Sequence, residues 1–391
     1  MIKPVRIEMP LVDDPPIAEL YYGVDVLEAL KAIPDGSIQC CVTSPPYWGL
    51  RNYGSAPLIW GGLPECTHQW ETGNDFCLSG CGAWKGQLGQ EPTPQQYVQN
   101  MVVVFREIWR VLRPDGTLWL NLGDSFAGSW GNAGHRPELD EGDSYQREKN
   151  CDYIHRGGWD KNREVPPSAK KLPGLKPKDL IGIPWRVAFA LQEAGWWLRS
   201  DIVWAKPNPM PESIADRPTR SHEYVFLLAK SKRYHYNIDA IREPAVMKPQ
   251  RRLKQRNSAR DEAMPDHKKF NYALRDTPDV EGNPLGRNKR DVWWINTKPY
   301  RGAHFAVMPE ELVEVCLKAG CAEGSTVLDP FSGSATTGVV AMRLGHNYKG
   351  IDLNQEYLAL AEARLLGHVP PAEEDADEDV DDIFNLFEDE E

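Results

Sequence analysis

Short apolar strands alternate with amphipathic helices along most of this chain. That alternation restricts the fold to an α/β sheet with helices on both faces. Asp25–Ile33 carries apolar residues at helical spacing and is closed by Pro34-Asp35-Gly36. Ser37–Thr43 follows as a buried strand and runs directly into Ser44-Pro45-Pro46-Tyr47-Trp48. A helix is predicted over Thr93–Leu112, with Tyr97, Met101, Val104, Phe105, Ile108 and Val111 on one face. Strand Gly116–Leu122 comes next, then helix Pro184–Ala194 and strands Trp196–Trp204 and Ser221–Ala229. After a basic segment the pattern resumes: helix Pro309–Ala319, strand Ser325–Asp329, helix Thr336–Leu344, strand Tyr348–Asp352 and helix Gln355–Leu366.

Charge is distributed unevenly. The formal net charge is −12, yet Glu373–Glu391 holds twelve Asp or Glu and no Lys or Arg. Without that tail the body is neutral. Within the body, Arg242–Arg301 has fifteen Lys or Arg against eight Asp or Glu. Such a segment suits a phosphate backbone or is a solvated basic loop. The tail reads as a solubilising acidic segment, or as a DNA-mimicking strip that competes for the basic groove. The N-terminus MIKPVRIEMPLVDDPP lacks the apolar core of a signal peptide, and no apolar run is long enough to span a bilayer. A cytoplasmic chain without a membrane partner is expected. Its eight cysteines then read as thiols or metal ligands.

Two loops carry the chemistry. Val327-Leu-Asp329-Pro-Phe331-Ser332-Gly333-Ser334-Ala-Thr336-Thr337 joins a strand to a helix, and its small residues let a ligand approach the backbone. Asp352 ends the next strand, where a carboxylate accepts from two ribose hydroxyls. No Lys lies in the loop, as a nucleoside triphosphate site would want. The second loop is Thr43-Ser44-Pro45-Pro46-Tyr47. A base amino group is a poor nucleophile because its lone pair is delocalised into the ring. A short polar side chain and a rigid carbonyl aimed at its two hydrogens would free that lone pair. Paired prolines fix φ and lack an N–H, and a tyrosine ring offers a face for an extruded base.

Together these loops resemble those of the amino DNA methyltransferases, whose catalytic motif is (Asp/Asn/Ser)-Pro-Pro-(Tyr/Phe) and whose glycine loop binds S-adenosylmethionine. The order, catalytic motif first, resembles the beta group of that family. The resemblance implies a Rossmann-like S-adenosylmethionine-dependent methyltransferase fold, circularly permuted, with insertions. It implies catalytic roles for Ser44, Pro45, Pro46 and Tyr47: Ser44 and the Pro45 carbonyl receive the amino hydrogens and Tyr47 stacks on the base. It implies cofactor contacts from Asp25, His304, Asp329, Phe331, Ser332, Gly333, Ser334, Thr336 and Asp352. Asp25 lies in Gly23-Val-Asp25, where Val24 interrupts the usual Gly-Asp pair. His304 begins His304-Phe-Ala-Val-Met-Pro309. Ser at the first motif position, with Trp48, Arg51 and Tyr53 behind it, looks like the cytosine-N4 members. N6-adenine methylation is the alternative, followed by methylation of RNA or a protein amide. Double-stranded DNA is the implied partner, with a restriction endonuclease and a homodimer as further partners. A bacterial cytoplasm, or the host cytoplasm for a phage protein, is the implied location.

Cys66-Thr-His68 and Cys77-Leu-Ser-Gly-Cys81 place four soft ligands within sixteen residues of a glycine-rich stretch. That is a structural zinc pattern, against the plainer reading of free thiols and a surface histidine. The expected organisation is catalytic core over 1–59, 96–127, 174–238 and 291–371. The Cys/His insertion takes 60–95, a polar insertion 128–173, the basic target-recognition region 239–290 and the acidic tail 372–391.

Overall fold

The computed structural model describes residues 2–8, 15–50, 56–128, 167, 172, 174–244, 286–297 and 307–367. Most of the polar insertion and of the basic region, with His304, Arg51, Tyr53 and the acidic tail, lie outside these. The chain separates into two units, one formed by 1–236 with 291–391 and the other by Asn237–Arg290.

Among the described residues of the first unit, nine strands form one sheet in the order β1-β2-β11-β10-β3-β6-β8-β7-β9. The strands are β1 Val5–Glu8, β2 Ile17–Tyr22, β3 Ile38–Thr43, β6 Leu112–Leu122, β7 Trp197–Ala205, β8 His222–Ala229, β9 Val292–Trp294, β10 Thr326–Asp329 and β11 Asn347–Asp352. A separate antiparallel pair joins β4 Leu58–Trp60 to β5 Trp84–Gly86. From β2 to β6 the sheet is parallel, and β8 then runs antiparallel to both β6 and β7. The helices are α1 Val26–Lys31, α2 Pro94–Val111, α3 Ile183–Glu193, α4 Glu310–Gly320, α5 Thr336–Arg343 and α6 Tyr357–Leu365.

The two-residue period of a strand explains how one sheet serves two layers. In β6, Leu118, Leu120 and Leu122 join the core formed with Leu30, Tyr97, Phe105, Ile108 and Val187 of α1, α2 and α3. Thr117 and Trp119 point the other way. Thr117 Oγ1 donates to the Gly320 carbonyl at 3.1 Å, and a Cβ at Gly320 would lie 2.3 Å from Trp119 Nε1. Glycine there lets the end of α4 close against the sheet. Helix α2 starts where Thr93 Oγ1 accepts the Gln96 N–H at 3.2 Å and Pro94 fills the first turn, where a missing N–H costs nothing.

The order in which the chain adds strands reverses between β10 and β3, which run parallel. The chain winds from β10 through α5 to β11 on one side, and from β3 through α2 to β6 on the other. A crevice opens at the carboxyl ends of strands at such a point. Strands β3 and β10 are neighbours although 286 positions separate Thr43 from Asp329. The pairing matches the permuted order expected from the sequence. Strands β1 and β2 were not expected from the sequence, and the Cys/His insertion begins inside a hairpin, with β4 at Leu58 rather than at residue 60.

In the second unit, a single 3-10 turn spans Asp239–Ile241. Glu243 and Arg287 exchange backbone hydrogen bonds at 2.9 Å, and the Glu243 carboxylate also pairs with Arg287 at 3.0 Å and Arg290 at 3.1 Å. The entry and exit of this unit are thereby fastened together.

Candidate active site

Asp329, at the end of β10, is buried and anchors the crevice. Its Oδ1 accepts Thr43 Oγ1 at 2.7 Å and the Phe331 N–H at 3.1 Å, while Oδ2 accepts Thr337 Oγ1 at 2.8 Å. Burial pushes its carboxyl up to about 6, against the three donors, which favour the ionised form. One side chain thus ties together β3, the glycine loop and α5.

The glycine loop is held from both sides. Gly333 takes φ +50° and its N–H donates to Asp352 Oδ2 at 2.8 Å; the Asn354 N–H meets Asp352 Oδ1 at 2.8 Å. Burial raises the Asp352 carboxyl above the usual range. Tyr22, at the end of β2, donates to the Gly333 carbonyl at 2.8 Å and lies 2.8 Å from Ser332 Oγ, which lies 2.7 Å from the Tyr348 hydroxyl. Arg364 of α6 donates to the Ser334 carbonyl, Ser334 Oγ and Thr336 Oγ1 at 2.7, 2.6 and 2.9 Å. Ser334 and Thr336, expected as cofactor contacts, are therefore also held by this arginine. Asp25, expected beside the cofactor, caps α1: its Oδ1 accepts the Leu27 and Glu28 N–H groups at 3.0 and 3.1 Å.

The Ser44–Tyr47 loop leaves β3 with its two proline carbonyls in different states. The Pro46 carbonyl accepts the Tyr97 hydroxyl at 2.9 Å. Among the described residues no protein donor meets the Pro45 carbonyl. Tyr47 reaches back across the sheet ends. Its hydroxyl donates to Glu223 Oε2 at 2.6 Å and accepts from Asn121 Nδ2 at 2.8 Å and Ser44 Oγ at 3.1 Å. Asn121 Nδ2 also meets Glu223 Oε2 at 3.0 Å, and the other Glu223 oxygen pairs with Lys206. The Lys206 ammonium sits 4.4 Å from the Trp204 ring centroid. Asn121 ends β6, Glu223 begins β8 and Lys206 follows β7. Because β8 is antiparallel, all three arrive at the same end of the sheet. Gly123 is required here: a Cβ would fall 2.6 Å from Tyr47 Cε2.

These groups line one cavity of about 770 Å³, within the usual range for small-ligand sites. Asp25, Ser44, Pro45, Pro46, Tyr47, Asp329, Phe331, Ser332, Gly333, Ser334, Thr336 and Asp352 all border it, as do Asn121, Lys206 and Glu223. His304 lies outside the described residues, although Val307 and Met308 just after it border the cavity. The four Cys/His residues do not line it. Their donor atoms gather separately, within 4.8 Å of one another.

The sequence did not single out Tyr22, Asn121, Lys206, Glu223 or Arg364 individually. Glu223 lies in the predicted strand Ser221–Ala229 and Lys206 just past Trp196–Trp204, but only the antiparallel direction of β8 brings them to Tyr47. A signal for Asn121 was available, a polar residue inside the apolar run Leu118–Leu122, and the fold buries it to 3% exposure.

A family model described as DNA methylase, of the N6/N4 methyltransferases, matches residues 38–363, from the start of β3 into α6. The chain belongs to this family. Similar proteins include the type II methyltransferases M.SmaI of Serratia marcescens, 40% identical over 88% of this chain and 89% of that protein, and M.Cfr9I of Citrobacter freundii, 41% identical over 90% and 88%. Among solved structures, the cytosine-N4-specific PvuII DNA methyltransferase shares the fold, with a TM-score of 0.51 at 17% identity over 89% of this chain and 86% of that one. This DNA methylase also has no described helix long and apolar enough to cross a membrane.

Proposed function

We propose that this DNA methylase transfers a methyl group from S-adenosylmethionine to the N4 amino group of a cytosine flipped out of duplex DNA. The observation that carries the reading is the Ser44-Tyr47-Glu223 chain of hydrogen bonds beside the Pro45 carbonyl. A carboxylate only accepts, so Glu223, paired with Lys206, accepts the hydrogen bond from the Tyr47 hydroxyl. The Tyr47 oxygen is then the acceptor for Ser44 and Asn121. This turns the Ser44 proton away and, beside the long 3.5 Å contact from Asn121 Nδ2, leaves a Ser44 lone pair for an amino hydrogen. The Pro45 carbonyl accepts the second hydrogen, and two acceptors on one NH2 pull the nitrogen towards tetrahedral geometry. The half-buried Tyr47 ring, backed by Gly123, is the stacking face for the base. Serine at the first motif position supports cytosine over adenine.

The residues around the glycine loop fit the cofactor. Asp352 spends one hydrogen bond per oxygen on the protein, so lone pairs remain for ribose hydroxyls. The loop carries no cation for a phosphate. Asp25, Phe331, Ser332, Gly333, Ser334 and Thr336 complete the cofactor half of the cavity, with Asp329 holding the loop. When bound, S-adenosylmethionine supplies an electrophilic methyl group on a sulfonium, which is why no cysteine nucleophile is needed. The basic region at 239–290 is the DNA-recognition element, holding phosphates with Lys and Arg. From the type II relatives, the same reading includes a restriction endonuclease of matching specificity.

The test is product identification. Unmethylated duplex DNA of mixed sequence is incubated with methyl-labelled cofactor, digested to nucleosides and resolved by mass spectrometry. N4-methylcytosine is expected. N6-methyladenine would overturn the base assignment, and label found in RNA or protein but not in DNA would overturn the substrate class.

A further inference from the structure

We propose that Cys66, His68, Cys77 and Cys81 bind one zinc ion, and that this ion fastens a module whose exit strand backs the catalytic loop. The role of the module rests on the methyltransferase reading; the metal site does not.

The donor spacing suits a tetrahedral site. With ordinary Zn–S and Zn–N lengths, tetrahedral edges are about 3.8 Å between two sulfurs and about 3.5 Å between sulfur and nitrogen. Cys66 Sγ and Cys77 Sγ are 3.9 Å apart, and Cys81 Sγ lies 3.3 Å from His68 Nδ1. All four donor atoms fall within 4.8 Å of one another, and all three cysteines are free thiols. The backbone is shaped for this. After Cys77 the chain turns tightly, with the Gly80 N–H donating to the Cys77 carbonyl at 3.1 Å and positive φ at Gly80 and Gly82. The Ala83 N–H points at Cys81 Sγ at 3.5 Å. A Cβ on Gly62 would fall 2.9 Å from His68 Cε1, so glycine lets the two arms close.

The 61–83 loop is held by a few backbone hydrogen bonds, such as Leu78 N–H to the Gln69 carbonyl at 2.9 Å, and by half-buried Trp70 against His68. It has little apolar core: Leu63, Phe76 and Leu78 are 53%, 43% and 50% exposed. Four protein ligands leave no open position, so the ion is structural. The strands that carry the loop are different. Trp60 of β4 and Trp84 of β5 are buried in the main core, and Leu58, Trp60, Gln87 and Leu88 border the cavity. Past β5, the Gly89 carbonyl accepts the Gly49 N–H at 2.8 Å, and at φ +92° Gly89 lies so close that a Cβ would come within 3.2 Å of Pro46 and the Tyr47 carbonyl. Loosening the loop at its tip therefore loosens the support behind Pro46 and Tyr47, and leaves the glycine loop untouched.

The experiment uses the full chain purified without added metal. Elemental analysis should give one zinc per chain, and a chain produced in cobalt-supplemented medium should show the thiolate charge-transfer and visible bands of tetrahedral cobalt. Native chain that carries no zinc and takes up no cobalt in that geometry would overturn the site, whatever its activity. Cys81→Ser should lose the metal and become protease-sensitive within 61–83. It should bind S-adenosylmethionine within about twofold of the native chain but lose roughly a hundredfold in kcat/KM for duplex DNA. His68→Cys, which keeps four ligands, should retain both metal and activity, and it distinguishes loss of zinc from general misfolding. Metal lost from Cys81→Ser with kcat/KM for DNA unchanged would overturn the coupling and leave the site. Zinc present in a chain that transfers no methyl group would sink the methyltransferase reading and leave the site.

Discussion

Thr43 Oγ1 donates to Asp329 Oδ1 across 2.7 Å in the buried crevice between β3 and β10. This single bond joins the strand that launches the catalytic loop to the strand that launches the glycine loop, two segments from opposite ends of the chain. With the backbone pairing of β3 and β10, it registers the Ser44–Tyr47 loop against the glycine loop.

Asp329 makes stability depend on pH. Its carboxyl titrates at about 6 in the folded chain and near 4 when unfolded. The native state therefore holds the extra proton between these values, and this group's contribution to stability declines as pH rises through that window. Asp329→Asn removes the dependence. Thr337 Oγ1, which also lies 3.3 Å from the Val42 carbonyl, can donate there and accept from the new amide. Urea unfolding at pH 7 should find Asp329→Asn more stable than the native chain by on the order of 2–3 kcal/mol, with the gain shrinking towards pH 4. A gain that does not vary with pH would contradict the assignment.

Tyr47 and Asp329 should separate in kinetics. Tyr47→Ala removes the stacking ring and the acceptor for Ser44, so kcat should fall roughly a hundredfold while calorimetry finds cofactor affinity little changed. Asp329→Ala leaves Thr43, Thr337 and the Phe331 N–H without their acceptor, and it should weaken cofactor binding more than it lowers kcat. Exchanged phenotypes would reverse the two roles.

Glu223 sets the direction of the hydrogen-bond chain. In Glu223→Gln the amide can donate to Tyr47, which then donates to Ser44 and pushes the Ser44 proton towards the substrate amino group. Turnover should fall by about tenfold or more. Tyr47→Phe keeps the ring and removes the relay, so the double variant should be faster than Glu223→Gln alone. Independent, additive losses in single-turnover rates would show that Glu223 does not act through Tyr47.

Gly123→Ala places a methyl group 2.6 Å from the Tyr47 ring. Displacing the ring should cost about 1–3 kcal/mol in denaturant unfolding and lower kcat by roughly a hundredfold. Unchanged turnover would mean that the ring position is unimportant to the chemistry.

Both loops were legible because each is a local signal: a strand running into Ser44-Pro45-Pro46-Tyr47, and a strand running into small residues with an acid one strand later. The helices over 94–111 and 183–193 were legible from their apolar spacing. Strands β1 and β2 were not. Val5–Glu8 is mostly exposed at the sheet edge, and Ile17–Tyr22 mixes apolar and acidic residues, so neither forms a clean apolar run. Tyr22 was missed with its strand. Glu223 was missed as a partner of Tyr47 because its place depends on the antiparallel direction of β8, which no local pattern encodes.

The order of elements, the stiffness of the proline pair, the lack of a cation in the glycine loop and the four soft ligands are properties of short stretches of chain, and the residues alone determined them. Which strands became neighbours was decided only by folding, since pairing depends on burying both faces of a shared sheet rather than on proximity in sequence. That packing brought Thr43 to Asp329, turned Glu223 towards Tyr47, and set Gly89 behind Pro46.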